Sequence, residues 1–322
     1  MAGGAVPLHG QDVVLDLSKL TKIISFDRER KSVEVEAGII LDELNEFLEK
    51  YNLEFPVNPS SHSICTIGGM IATDAVGSRA VKYGRTSRWI NWIEVIDCKG
   101  NLVKKGTTEI NDYSGMEGIT GVIVKASLRL AEKKQRTASL ILKDDFREIL
   151  LAVKELKRNG SVSMIEFLDK QIAEWLGLGK MYVLIVEYES SEGEFSGNEY
   201  LRLMETRDRI YPVLGEKGFT RIEDPKIMTD KSSDLLEWLE RKGVPVFGHI
   251  SIGIFHPCFN KEQEKYIPEM MKIVKRMSGQ VSGEHGIGIL KREFVDANDR
   301  KILVNIKKRS DLMDKFNSGK VL

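Results

Sequence analysis

Three of the five histidines lie in two short glycine-framed motifs. One is Gly248-His249-Ile250-Ser251-Ile252-Gly253-Ile254-Phe255-His256. The other is Ser282-Gly283-Glu284-His285-Gly286-Ile287-Gly288. Imidazole and carboxylate together suit a borderline divalent ion such as Zn, Mn or Fe. An imidazole that titrates near neutrality also suits a general base. In a flat strand, the spacing of His249 and His256 puts them on opposite faces. They converge only if Gly253 marks a bulge or turn. Glycines on both sides of Glu284-His285 free the backbone to aim two polar side chains at one point. Any one such histidine is more often a hydrogen-bonded structural residue, but three in two framed motifs favour a site.

A second stretch, Pro56–Arg88, is rich in small residues: Gly68, Gly69, Ala72, Thr73, Ala75, Gly77 and Ser78. Small residues let backbone N–H groups approach a bulky ligand. Long loops inside compact domains are usually functional or disordered, and Ile64, Ile67, Met70, Ile71, Val76 and Val81 argue for order here. Composition alone is equally consistent with an ordinary Gly/Ala-rich surface loop. No G-x-G-x-x-G lies between a strand and a helix, so a nicotinamide-type Rossmann domain is not indicated.

The elements that must carry these motifs read as follows. Val13–Leu17 and Ser32–Ala37 alternate as strands, and Leu41–Tyr51 is an amphipathic helix. Trp89–Ile96, Asp97–Asn101 and Leu102-Val103 form a strand, a turn and the return of a hairpin. Tyr113–Leu130 reads as a turn followed by a strand. Helical patterns cover Phe146–Leu156, Asn198–Leu214, Asp234–Lys242, Glu262–Met277 and Asp296–Phe316. Strand patterns cover Val162–Phe167, Tyr182–Tyr188, Phe219–Ile222 and Val246–Phe255. The interleaving predicts an α+β fold with helices on one face of a sheet.

Lys+Arg and Asp+Glu both number 48, so no basic stripe points to nucleic acid. Cys65, Cys98 and Cys258 are too few and too scattered for a disulfide framework or a C-x-x-C site. No apolar run is long enough to span a bilayer, and no leader pattern is visible. A cytoplasmic chain is expected, with membrane attachment through a partner left open.

The order P-x-N-P-S-S, T-I-G-G-x-I-A-T, R-A-V-K-Y-G-x-T resembles the flavin-embracing segment of the vanillyl-alcohol oxidase / p-cresol methylhydroxylase flavoproteins. More narrowly, it resembles the D-lactate, glycolate and D-2-hydroxyglutarate dehydrogenase branch. The resemblance implies a PCMH-type FAD-binding domain over residues 1–131 and an α+β cap domain with an antiparallel sheet over residues 132–280. A segment over residues 281–322 would return to the flavin. Met1–Pro7 is similar to the second half of the family's pyrophosphate loop. The FAD domain is therefore expected to be incomplete at its N-terminus, with a separately encoded N-terminal FAD subdomain as a candidate partner. Phe316–Leu322 resembles the family's closing N-P-G-K with Ser318 for proline, so the C-terminus is expected to be complete.

The implied FAD contacts are Gly3, Gly4, Ala5, Pro59, Ser60, Thr66, Ile67, Gly68, Gly69, Ala72, Thr73, Asp74, Gly77, Tyr83, Gly84, Glu117, Gly118, Gly121 and Ile123. His249, His256 and Glu284 would bind the divalent metal, and His285 would be the base. Arg207, with Arg209 close behind it, would clamp the substrate carboxylate, although both lie on a helix that reads as charged and solvated. The implied reaction oxidises a 2-hydroxy acid, of the D-isomer, and passes electrons to an iron–sulfur or other acceptor protein.

Departures from the pattern keep a second reading open. Ile252 and Ile254 replace the Asp and Asn of G-H-x-G-D-G-N-x-H, and Met70, Asp74 and Val76 replace Asn, Asn and Gly. A non-catalytic flavin-binding subunit, or a split homologue with reduced activity, is the alternative.

Overall fold

Val33 and Val35 are buried while Ser32, Glu34 and Glu36 are partly open, the period-2 pattern of a strand with one face on a core. This strand belongs to the first of two units into which the computed structural model, describing residues 3–322, divides. The first unit comprises residues 3–77, Gly84–Lys133 and Glu284–Leu322. The second comprises Ser78–Tyr83 and Lys134–Gly283. Met1 and Ala2, expected in the pyrophosphate loop, lie outside the described residues.

In the first unit the strands are β1 (Ile23–Asp27), β2 (Ser32–Glu36), β3 (Leu53–Glu54), β4 (Ile90–Ile96), β5 (Leu102–Gly106), β6 (Val122–Arg129) and β7 (Ala131–Glu132). An antiparallel sheet runs β1-β2-β6-β4-β5, and β3 pairs with β7. Helix α1 (Leu41–Glu49) buries Leu41, Leu44 and Leu48 completely. Each such leucine contributes roughly 1.5–3 kcal/mol of burial energy. Val13–Leu17 forms no strand. Val13, Val14 and Leu15 are exposed, because alternation yields a strand only where a neighbour completes the ladder.

The glycine-rich stretch is not all loop. Thr66 caps a short helix, α2 (Ile67–Thr73), by accepting from Gly69 N–H at 3.1 Å. Ile67, Met70 and Ile71 face the core. Asp74 ends the helix in the left-handed conformation. The C-terminal helix, Ala297–Ser310, is shorter than the pattern suggested and ends at Asp311, whose carboxylate holds Lys307 Nζ and Phe316 N–H.

In the second unit the strands are β8 (Thr137–Lys143), β9 (Val162–Leu168), β10 (Tyr182–Tyr188), β11 (Arg221–Ile222), β12 (Val246–Gly248) and β13 (His256–Phe259). They form one antiparallel sheet in the order β11-β13-β12-β9-β10-β8. The helices are α3 (Ala80–Tyr83), α4 (Phe146–Leu156), α5 (Lys170–Trp175), α6 (Gly197–Asp208), α7 (Ile210–Glu216), α8 (Ser233–Arg241) and α9 (Ile267–Arg276). The single helix expected over Asn198–Leu214 breaks at Arg209, just ahead of Pro212, into α6 and α7. Pro268 lies in the first turn of α9, where proline is tolerated. Every residue of β9 and β10 is buried, including Glu166 and Glu187. No helix among the described residues is long and apolar enough to cross a membrane.

Candidate active site

The expected strand Val246–Phe255 is interrupted where the chemistry begins. After β12 comes a 3-10 turn, Ile250–Ile252, then Gly253 at φ +76, and β13 starts at His256. A side chain at Gly253 would lie 1.9 Å from the Ile227 carbonyl oxygen, so only glycine fits this corner. The turn makes His249 and His256 cross-strand neighbours rather than residues of one strand. His256 pairs with Phe247, and His249 lies two residues beyond Phe247. Both therefore project from the same face of the sheet. Their ring centroids are 5.5 Å apart at 87°.

Glu284 follows Gly283 directly. Gly283 N–H is fixed by the carboxylate of Asp224 at 3.0 Å, and Ser282 Oγ donates to the same group at 2.9 Å. A Cβ on Gly283 would lie 2.7 Å from the Ile254 side chain, so the chain passes tightly over that residue. His249 and His256 belong to the second unit, and Glu284 opens the last segment of the first. Two buried imidazoles, with a carboxylate in the adjoining motif, are a donor set whose chemistry fits a borderline divalent ion.

Behind the histidines lies a group that the sequence reading missed. Continuing the register Gly248↔Phe167 by one residue sets His249 opposite Glu166. His249 Nδ1 lies 3.2 Å from Glu166 Oε1. Arg207, from α6, reaches Glu166 Oε2 with Nη2 at 3.0 Å and Nε at 3.2 Å, and its Nη1 donates to Asp208 at 2.9 Å. Burial pushes the Glu166 carboxyl up, but the charges of His249 and Arg207 outweigh it and hold the group at about 2. Arg207 is therefore buried rather than solvated, and its guanidinium is bonded to Glu166 and Asp208. The neighbouring Arg209 stands at the α6–α7 break. The available signal for Glu166 was a lone acid in an otherwise apolar strand pattern, SVSMIEFL.

Residues 284–288 also touch the segments expected to hold flavin. His285 Nε2 lies 3.2 Å from Glu284 Oε1, and the His285 side chain is 6% exposed. Gly286, at φ +81, has no room for a Cβ, which would lie 2.5 Å from the Glu117 carboxyl carbon. The Glu117 carboxylate accepts from Ile287 N–H at 2.5 Å and Gly288 N–H at 3.0 Å. Its own N–H donates to Ala72 O at 2.8 Å, and Asn317 Nδ2 donates to its carbonyl at 2.7 Å. A Cβ on Gly4 would meet Glu117 Oε2, and one on Gly3 would meet Ile289. Glu117 thus ties together four segments that are remote in sequence: Gly3-Gly4, α2, residues 286–288 and the C-terminal turn.

The remaining expected FAD residues divide by what their backbones do. Gly69 is exposed, and a Cβ there would meet only Thr66 Oγ1. Ala72 and Thr73 continue that half-open face of α2. A helix face without side-chain bulk fits close approach by a large planar group such as FAD. Gly118, at φ +73, lies beside Asn317, while Ala5 and Ser60 are exposed. Other residues serve the fold. Gly68 N–H is bonded to Ala37 O, and its Cα abuts that residue. Ile67 and Ile123 are core residues, and Gly121 packs on Ile96 O. Gly77 lets the chain pass Asn58-Pro59, and Gly84, at φ +71, sits under Arg88. Asp74 accepts from Ser87 N–H and Arg85.

Tyr83 is another of the expected FAD residues. It belongs to the second unit, where its hydroxyl donates to Glu189, the carboxylate that also pairs with Lys82.

Residues 1–106 match the family described as FAD binding domain, and residues 196–321 match the family described as FAD linked oxidases, C-terminal domain. The chain is 26% identical to a D-lactate dehydrogenase of Anaerostipes hadrus, covering 100% of this chain and 82% of the relative. It is also 26% identical to a D-lactate dehydrogenase of Archaeoglobus fulgidus, covering 100% and 84%. A D-2-hydroxyglutarate dehydrogenase of Xanthomonas citri is 24% identical, covering 100% and 82%. With a match to an FAD binding domain over its first third and to an FAD linked oxidase C-terminal domain over its last part, the chain is an FAD-dependent oxidoreductase.

Proposed function

We propose that the chain oxidises a 2-hydroxy acid of the D-configuration, of the lactate, glycolate or 2-hydroxyglutarate kind, to the 2-oxo acid. The single observation that carries this reading is the run Glu284–Gly288. It carries Glu284 and His285 and then the N–H groups that hold Glu117 against α2. The names of the relatives, D-lactate and D-2-hydroxyglutarate dehydrogenase, supply the substrate class.

His285 is the general base that takes the hydroxyl proton. Such a group typically contributes 10²–10⁴-fold. Glu284, 3.2 Å from its Nε2, stabilises the imidazolium that forms. His249, His256 and Glu284 would hold a divalent ion, which would supply Lewis acidity that lowers the pKa of a hydroxyl. Gly69, Ala72, Thr73 and Gly118 hold FAD, which supplies a two-electron acceptor for the hydrogen on C2. Burial of the His249, His256 and His285 side chains keeps water from competing for the base. The partner expected to accept the electrons is an iron–sulfur protein or another carrier.

The test is anaerobic mixing of the FAD- and metal-loaded chain with D-lactate, glycolate and D-2-hydroxyglutarate, each beside its L-isomer where one exists. Bleaching of the flavin by at least one of them is expected. A flavin-bound chain inert to all would overturn the reading in favour of a non-catalytic flavin-binding subunit. Ile254, fully buried against Gly283, is the residue that favours that outcome. It cannot hydrogen-bond a substrate as the family's asparagine would.

A further inference from the structure

Arg207 and Glu166 are both buried, on different elements, and meet through two hydrogen bonds. Burying such a pair is costly unless the geometry is good and the remaining lone pairs are used. Glu166 uses its second oxygen on His249, at 3.2 Å from Nδ1. We propose that Glu166, backed by Arg207, is the positioning residue that fixes the His249 ring and tautomer so that Nε2 is presented to the divalent ion. The inference rests on the metal centre proposed above.

Three observations support it. A carboxylate oxygen 3.2 Å from Nδ1 favours the tautomer protonated there, which leaves Nε2 as the ligand nitrogen, the usual arrangement for a metal-bound histidine. The β12–β9 pairing ends at Gly248↔Phe167, next to His249 and Glu166, so the contact sits where a paired strand runs into a tight turn. The guanidinium grips Oε2 through Nε and Nη2 and leaves Oε1 aimed at the ring. It also guarantees that Glu166 remains an acceptor when His249 is neutral and metal-bound. A lysine could supply the charge but not the planar fork. Arg207 therefore acts on the site through Glu166 and His249, not by touching substrate.

The test is the equilibrium affinity of the full chain for Zn²⁺, measured by competition with a chromogenic chelator, together with the ligand-field spectrum of the Co²⁺ form. Glu166→Gln keeps the shape and removes the charge. Affinity is expected to fall roughly 10–100-fold, with a shifted Co²⁺ spectrum, as for lost outer-shell partners of metal-bound histidine. Arg207→Lys is expected to lose several-fold. In a His249→Ala background, Glu166→Gln should cause no further loss, whereas a merely structural role would add its cost in either background. If Glu166→Gln does not fold, the neutral pair Glu166→Gln/Arg207→Met replaces it with the same expected loss. Affinity within twofold of wild type in the folded variant would overturn the relay alone. A wild-type chain that binds no Zn²⁺ would overturn the metal centre and the relay with it.

Discussion

Glu166 and Glu187 are the same chemical object put to two uses. Both are completely buried, on the paired strands β9 and β10. The register Ile185↔Glu166 puts them on one face of the sheet, and Tyr200 and Arg207, two turns apart on α6, reach down to one each. Glu187 is closed on all sides. Arg79 grips it with two bonds, Ser163 and Tyr200 donate to it, and Arg136 lies 3.6 Å away. Glu166 has one arginine and spends its other oxygen on His249. A buried carboxylate satisfied entirely by the fold is architecture, whereas one with an oxygen turned toward a histidine of the proposed metal centre belongs to that proposed site. The residue type does not distinguish them; the partner of the second oxygen does.

That contrast can be broken at several points. The largest expected effect is Glu187→Ala, which strands Arg79 and should cost about 3–5 kcal/mol of stability by thermal or denaturant unfolding. Zn²⁺ affinity of the folded fraction should remain at the wild-type value. Loss of metal in this variant would erase the distinction between the two glutamates. Gly286→Ala comes next. It forces a Cβ into the Glu117 carboxylate at a left-handed position and should cost at least 1–3 kcal/mol. FAD retention on gel filtration should fall, because Glu117 is the tie to α2.

pH gives a third handle. Burial pushes the Glu187 carboxyl up, but Arg79 and Arg136 win and hold it at about 2. Its folded pKa thus lies below the ordinary 4.5, so its stabilisation is complete above that value and is lost as pH falls toward 2. The Tm gap between wild type and Glu187→Gln should therefore narrow steadily from pH 5 to pH 2. A gap independent of pH would show that the charge does not stabilise this unit.

The smallest expected stability effect is Gly69→Ala. Only Thr66 Oγ1 stands near the new methyl, and helix propensity favours alanine by about 1 kcal/mol. The apo chain should be unchanged or slightly more stable, yet FAD should bind more weakly. Unchanged FAD affinity would remove the bare face of α2 from the flavin site.

Much of this was legible in the residues, for reasons that can be named. The motif G-H-x-x-x-G-x-x-H required a turn at Gly253, and the turn is there because nothing larger fits beside Ile227. The strands of the second unit were visible because continuous apolar runs mark strands buried on both faces. Other features depended on tertiary partners. Val13–Leu17 alternates but forms no ladder, and Asn198–Leu214 conceals the break at Arg209. Helix α2 was hidden because its glycines argue against a helix, while Thr66 and packing on Ala37 stabilise one. Arg207 looked solvated because its neighbours on α6 are charged, and only the three-dimensional fold reveals Glu166 beneath it. Glu117 was expected near flavin, but its ties to Ile287, Gly288 and Ala72 span sequence separations that no local pattern encodes.

The central claim is that His285 removes the substrate proton beside the ion-binding triad, and rapid-mixing flavin reduction of His285→Ala tests it most directly. The variant, loaded with FAD and metal to wild-type content, should reduce flavin with its best 2-hydroxy acid about 10²–10⁴-fold more slowly than wild type. Reduction at the wild-type rate by a variant that keeps both groups would contradict the account.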